Sequence, residues 1–370
     1  MIPTKKRRFG FGVMLVAALA VFAAACGNAA PTSSPSGGGG GGSGASAEAA
    51  TKGAECGSGS LTGSGSTFVQ SLALEWIKNY TAQCKEASIN YQGVGSGAGI
   101  QQLTAGTTQF GATDVPLTSE QTPALDARGP NVQIPWASGG IALEYNLSGV
   151  DHLKLDAKTI AEIFSGKITT WDDPAIKSLN QGVNLPSTTI TTVHRSDSSG
   201  TSAVVSEYLT KAAPAEWTYG TNKTWPGPGG QGAKGSDGVT ATVAQTQGTI
   251  GYAETSFAVG AGLHVVEVEN AAGKFTTSEQ PSAVSATLKD STVDPTTGVM
   301  TINFTTKDPA AYPIATATYV VAMKSQTSPL LKHFFNYAVT NGQASAEKLF
   351  YVPLPENIVN TSKHIISTMT

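Results

Sequence analysis

The chain is poor in cysteine: Cys26, Cys56 and Cys84 are the only three in 370 residues, and no two form a C-x-x-C pair. No redox or zinc-ribbon signature is therefore present. The five histidines show no spacing such as H-E-x-x-H, so neither a metal site nor a cofactor is expected. A G-x-S-x-G elbow and a P-loop are both missing, and the many serines have no evident partnered base. Charge is scarce as well, with only 13% of residues charged and a net charge of −3. The leading segment holds four of the 23 basic residues, so the remainder balances 19 basic against 26 acidic groups, or −7. That balance argues against a nucleic-acid partner. Any anionic ligand would have to be held by local donors and not by the overall field. No internal repeat of solenoid period is apparent.

What the N-terminus does have is a targeting pattern. Lys5, Lys6, Arg7 and Arg8 precede an apolar run from Phe9 to Ala25, which reads as an export signal over 1–25 and is short for a permanent membrane span. Ala23-Ala24-Ala25-Cys26 resembles the bacterial lipoprotein processing site, in which Cys26 would take a diacylglyceryl anchor. Ala23 stands where that site usually has Leu, so a secreted protein cut nearby is the alternative. Residues 26–55, rich in Ala, Ser and Gly and containing Gly37 to Gly42, lack the apolar surface to fold and read as a tether. Such a tether reaches on the order of 25 to 30 Å. With Cys26 lipidated, Cys56 and Cys84 remain as one possible disulfide in an oxidising compartment; two buried thiols are the alternative.

From Cys56 onward the chain is long enough for two domains. Strand-like and helix-like segments alternate, which predicts α/β lobes built on mainly parallel sheets. Leu61 to Ser66 leads into a helix with an apolar stripe at Phe68, Leu72 and Trp76. Ile89 to Gln92 is a strand that turns through Gly93 to Gly99 into a helix around Ile100 to Leu103. Thr189 to His194 is a strand followed at Ser198-Ser199-Gly200-Thr201 by a helix over 202–211. Each junction places Ser, Thr and Gly at a helix N-terminus, where free N–H groups and the helix dipole favour an anion. Ile134 to Ala142 predicts a crossing between lobes, because Pro135 and the Gly139-Gly140 pair interrupt two apolar strands. A return crossing is expected near Tyr312-Pro313-Ile314, followed by a strand over 318–323 and helices over 330–340 and 355–366.

Six segments at these junctions, in this order and spacing, carry a more specific signal. They are Leu-Thr-Gly-Ser-Gly-Ser-Thr-Phe (61–68), Tyr-Gln-Gly-Val-Gly-Ser-Gly (91–97), Phe-Gly-Ala-Thr-Asp-Val-Pro-Leu (110–117), Gly-Lys-Ile-Thr-Thr-Trp-Asp-Asp-Pro-Ala-Ile (166–176), Arg-Ser-Asp-Ser-Ser-Gly-Thr-Ser (195–202) and Gly-Thr-Ile-Gly-Tyr-Ala-Glu (248–254). Together they make the chain similar to the phosphate-binding receptor of the high-affinity bacterial phosphate ABC transporter, from Ser60 to about Ile366. The resemblance implies a two-lobed periplasmic-binding-protein-like fold, with lobe I from 56–137 and 315–370, lobe II from 138–314, and the ligand cleft between them at the hinge crossings. It implies phosphate contacts at Thr67, Phe68, Ser96, Asp114, Arg195, Ser199, Gly200 and Thr201, with Asp197 bracing Arg195. It also implies a monomeric, non-enzymatic receptor outside the cytoplasmic membrane that binds inorganic phosphate and delivers it to a membrane permease.

Asp114 carries most of the chemistry. A carboxylate beside an anion is unfavourable unless a proton lies between them, and phosphate near neutral pH supplies one whereas sulfate does not. Leaving that polar group unpaired costs at least about 1 to 3 kcal/mol. Counting Arg195 against Asp114 and Asp197 leaves the site without positive excess, so neutral donors at helix N-termini must do most of the stabilising. Blander readings are ordinary Gly/Ser turns with caps, Asp114 as a turn residue, Arg195–Asp197 as a surface pair, and the stretches 166–176 and 225–237 as shapers of lobe surfaces. The competing functions are a receptor for another oxyanion, a secreted phosphatase or serine hydrolase, and a surface interaction protein that binds no anion.

Overall fold

The computed structural model describes residues 54–325 and 327–370. The expected export signal, the lipidation site Cys26 and the tether up to Gly53 lie outside the described residues. The body opens with strand β1 (Gly59–Gly65), helix α1 (Gln70–Gln83) and strand β2 (Ala87–Gly93). In this unit β1 and β2 pair in parallel, in register from Gly59–Ala87 to Gly65–Gly93. Leu72, Ala73, Trp76 and Tyr80 recur at helical spacing and are buried on one face of α1, which is why the segment folds as a helix against the sheet. Phe68 is buried too, but it lies in the turn before the helix. Helix α2 (Ser96–Thr104) and strand β3 (Phe110–Thr113) complete this part, with β3 parallel to β1.

The sheet's organising element is strand β4 (Asn131–Asn146), sixteen residues long. From Asn131 to Gly140 it pairs antiparallel with the strand Ala315–Met323. From Ile141 to Asn146 it pairs antiparallel with the strand Thr249–Glu254. The full order runs β2, β1, β3, Ala315–Met323, β4, Thr249–Glu254, Thr191–Arg195, Gln231–Ala233. Parallel pairing, expected to predominate, holds only on the two flanks; the centre is antiparallel. The expectation fails there because the chain crosses twice as long strands, and neighbouring strands that run out and back must be antiparallel.

Pro135 and Gly139-Gly140 do not interrupt two strands as expected; all three lie inside the single strand β4. Tyr319 pairs with Pro135 and Thr318 with Ala137, so Trp136 is an extra residue and the ladder bulges where proline withholds its N–H. Gly140 is required for close approach, since a β-carbon there would lie 2.9 Å from both Ser278 Cβ and Val284 Cγ2. The core gathers on this crossing strand. Trp136 meets Trp76 at 5.3 Å between ring centroids, and Phe110 meets Phe335 edge-on at 5.6 Å. The architecture is α/β, and no helix among the described residues is long and apolar enough to cross a membrane.

Cys56 and Cys84 form a disulfide with a Cα separation of 5.2 Å. It ties the entry segment to the end of α1. The hydroxyl of Tyr80 supports the same junction by accepting from Gly57 N at 3.1 Å and donating to Glu55 O at 3.0 Å. Closing 28 residues removes unfolded-state entropy, so a Cys56→Ser/Cys84→Ser variant is expected to lose roughly 3 to 4 kcal/mol. Denaturant melts of the variant and the parent under non-reducing conditions check this; coincident midpoints would mean the bridge constrains nothing.

Candidate functional site

The polar cluster forms where the parallel strands end. Gly65, Gly93, Thr113, Arg195 and Ala233 are the last residues of their strands; all but Thr113, which leads into Asp114-Val115-Pro116, are followed by a turn rich in Gly, Ser or Thr. In open α/β sheets this carboxyl edge is where ligands bind. Ser96 opens α2, Ser199 caps the helix Gly200–Ala212, and Ser236 is the second residue of the helix Gly235–Gln245. Three helix N-termini and the turn before α1 thus face one region, with their dipoles' positive ends turned inward.

Asp114 sits in the middle and is only 2% exposed. Its carboxylate accepts from the Ser66 hydroxyl, from Thr318 Oγ1 at 3.0 Å, and at 3.4 Å from both Ser96 Oγ and Thr201 Oγ1. Thr316 Oγ1 donates to its main-chain carbonyl at 2.9 Å. Burial pushes the carboxyl above the ordinary aspartate range, against the opposing pull of the Ser66 and Thr318 hydroxyls and the charges of Arg195 and Lys223.

Arg195 is buried with it, its side chain 1% exposed. Nε donates to Asp197 Oδ1 at 2.7 Å and the terminal guanidinium nitrogen to Oδ2 at 2.6 Å, a bidentate pair. The carboxylate of Asp197 also accepts from Gly235 N at 3.1 Å. Burial acts to raise the Asp197 pKa, but the hydrogen bonds and charge of Arg195 and the Gly235 N–H hold it below its ordinary value.

The remaining predicted residues fall in the same cluster. Gly200 N donates to Ser96 Oγ at 3.1 Å, and a β-carbon on Gly200 would lie 2.7 Å from Asp114 Cβ, so only glycine fits that approach. Ser199 Oγ accepts from Ser202 N at 3.2 Å as a helix cap, which leaves its own hydroxyl hydrogen free to donate elsewhere. Thr67 Oγ1 accepts from Ser236 N at 3.2 Å and lies 2.9 Å from Ser236 Oγ. Phe68 follows Thr67 in the turn, but its contacts lead away from the cluster: its ring packs edge-on against Tyr351 at 5.8 Å and its carbonyl accepts from the Tyr351 hydroxyl. Cys56 and Cys84, joined near the N-terminus, are not part of the cluster.

Several participants were not legible in the sequence as site residues. Ser66, Thr316, Thr318, Gly235, Ser236 and Lys223 all touch the cluster. The stretch from Trp225 to Asp237, expected to shape a surface, delivers Gly235 and Ser236 to it; Lys234-Gly235-Ser236 repeats the strand–Gly/Ser–helix design of the other junctions and carried the available signal. Thr316 and Thr318 alternate along a strand and so point to one face. Lys223 lies in an irregular segment with no such pattern. Its ammonium adds a second cation, so two cations face two carboxylates in place of the expected one against two.

Removing Asp197 would leave the buried Arg195 charge unpaired. Asp197→Asn is expected to cost roughly 3 to 5 kcal/mol near neutral pH. Because the folded pKa of Asp197 lies below its unfolded value near 3.9, the stabilisation is fully present above that value and is lost as pH falls through the folded one. Denaturant stability from pH 7 down to pH 3 checks this, and a variant that stays parallel to the parent over that range would contradict it.

The chain matches the model of the PBP superfamily domain over residues 50–341. It is 40% identical over 313 residues to phosphate-binding protein PstS of Xylella fastidiosa (strain 9a5c), covering 81% of this chain and 82% of that protein. It is 34% identical over 363 residues to phosphate-binding protein PstS 3 of Mycobacterium tuberculosis (strain H37Rv), covering 95% and 96%. In fold it is similar to a high-affinity periplasmic phosphate-binding protein solved with phosphate at pH 8.5, with a TM-score of 0.67 at 22% identity over 82% of this chain and 93% of that one. A phosphate-binding protein from Stenotrophomonas maltophilia gives 0.64 at 20% identity, over 83% and 94%. The fold is thus the two-lobed periplasmic-binding-protein type, and the chain belongs to the PstS family of phosphate-binding proteins within the PBP superfamily.

Proposed function

We propose that this chain captures inorganic phosphate outside the cytoplasmic membrane and passes it to the permease of an ABC importer, without chemical turnover. The observation that carries this reading is the buried Asp114 carboxyl set among hydroxyl donors and beside the braced Arg195. Such a site suits a tetrahedral oxyanion that brings its own proton. Thr67 and Phe68, with Ser96, Asp114, Arg195, Ser199, Gly200 and Thr201, are the proposed contacts, and Asp197 positions the guanidinium. Lobe I would comprise 56–137 and 315–370 and lobe II 138–314, with phosphate touching both and favouring closure by binding the closed state more tightly.

Delivery follows from the same reading. An export signal over 1–25 and a lipid on Cys26 would hold a monomeric receptor at the outer face of the membrane by the 26–55 tether; without processing at Cys26 it would be secreted. The PstS names of the relatives above and the capped, donor-lined cleft support the receptor role. Four serines, Ser66, Ser96, Ser199 and Ser236, lie in the cluster and their side-chain hydrogen bonds involve backbone amides, the Asp114 carboxylate and another hydroxyl. That arrangement holds an oxyanion and does not generate a nucleophile.

Calorimetry of the chain with phosphate, arsenate and sulfate tests the function: phosphate and arsenate are expected to bind and sulfate to bind far more weakly, while absence of phosphate binding would overturn the proposal. Asp114→Asn places an amide donor beside a bare oxygen, so the phosphate-to-sulfate preference is expected to narrow by about tenfold or more. A competition titration reads this directly. Unchanged preference in the variant would dismiss Asp114 as the group that tests the ligand for a proton.

A further inference from the structure

We infer that Lys223 is a latch that spans the cleft and positions its walls around the anion. Its carbonyl accepts from Ser199 N at 2.8 Å, so its backbone shapes the cap of the helix Gly200–Ala212. Its side chain leaves that wall and crosses to the other, where Nζ donates to Gln121 Oε1 at 2.8 Å and lies 3.5 Å from Thr113 Oγ1, the residue before Asp114. Apart from the long 3.4 Å contact of Thr201 Oγ1 with the Asp114 carboxylate, the other contacts that join these walls at the site are neutral: Gly200 N to Ser96 Oγ, Gly97 N to Ser198 O at 2.9 Å, and Ser236 N to Thr67 Oγ1. At the Lys223 end the walls are separated by a cavity of about 840 Å³, lined in part by Val115, Leu117, Gln121, Ala203, Glu207 and Lys223. Packing cannot hold the walls together across such a space, whereas a charge-assisted hydrogen bond can.

The charges facing Lys223 set its behaviour. Asp114 faces it from the end of β3, with Arg195 beyond; Glu120 from the loop after Pro116 and Glu207 from the helix Gly200–Ala212 line the same cavity. Burial lowers the Lys223 pKa to about 8, opposed by the Asp114 carboxylate. The cation that ties the walls is therefore lost as pH rises through about 8, and the cavity gives water access to it.

The latch rests on the phosphate-capture reading, and the test separates the two. Rapid-mixing kinetics with inorganic phosphate are measured on the full chain as parent, Lys223→Gln, Lys223→Arg and Gln121→Leu, alongside melting of the ligand-free proteins. Lys223→Gln and Gln121→Leu are each expected to speed phosphate release by about 10- to 100-fold with little change in association, since a broken closed-state contact acts on the off-rate. Lys223→Arg is expected to restore slow release and, because arginine does not titrate, to keep it from pH 7 to pH 9 while the parent's release accelerates. If the parent binds phosphate and both Lys223→Gln and Gln121→Leu release it at the parental rate, the latch is overturned. If Lys223→Arg and the parent follow one pH profile, the titrating role is overturned. Failure of the parent to bind phosphate would instead remove the underlying reading.

Discussion

One strand changes partners halfway along, and that constraint places everything else. Over Asn131–Gly140 β4 is bonded to Ala315–Met323, which in turn carries β3, β1 and β2; over Ile141–Asn146 it is bonded to Thr249–Glu254, which carries Thr191–Arg195 and Gln231–Ala233. Asp114 leaves the first group and Arg195 the second. Because both groups hang on one covalent strand and β3 and Thr191–Arg195 run in opposite directions, the ends of these two strands point toward each other where β4 changes partners. The bulge at Trp136 and the bare backbone at Gly140 let this strand run through a crowded centre without breaking.

Where the strand ends meet, the electrostatic design is one of near balance. Arg195 and Lys223 face Asp114 and Asp197, and the remaining partners are hydroxyls and backbone amides. Burial makes each charge costly, so each is paired or multiply hydrogen-bonded. Asp114 illustrates the consequence: its pKa rises through desolvation even with two cations near it. A carboxyl so placed is suited to sharing a proton with a ligand, and net attraction for an anion then comes from oriented dipoles at the helix ends and not from excess charge.

The contacts that join the walls of the cleft are individually modest. A neutral hydrogen bond contributes on the order of 1 kcal/mol net, so hydroxyl and amide links such as Thr67 with Ser236 and Ser96 with Gly200 close the cleft without locking it. A receptor that must give up its cargo benefits from that weakness. The Lys223 contact differs in reaching across with a cation and in bordering a cavity, which is why release should be sensitive to it.

Four of the six segments, 61–68, 91–97, 110–117 and 195–202, made most of the cluster legible in the sequence, because an anion-binding turn requires particular small residues next to one another. Helix positions were legible for the same local reason: the apolar stripe of α1 and the capping pattern at Ser199 are properties of neighbouring residues. The direction of the central strands was not, since antiparallel pairing of β4 depends on partners more than a hundred residues away. Thr316 and Thr318 could be found only once distant strands were laid side by side. Local sequence determined which turns are able to hold an oxyanion and that Asp114 would stand among them. Tertiary structure alone decided that Lys223 shares the site and that the charges balance, because a flexible side chain in an irregular segment acquires its partners only when the two walls meet.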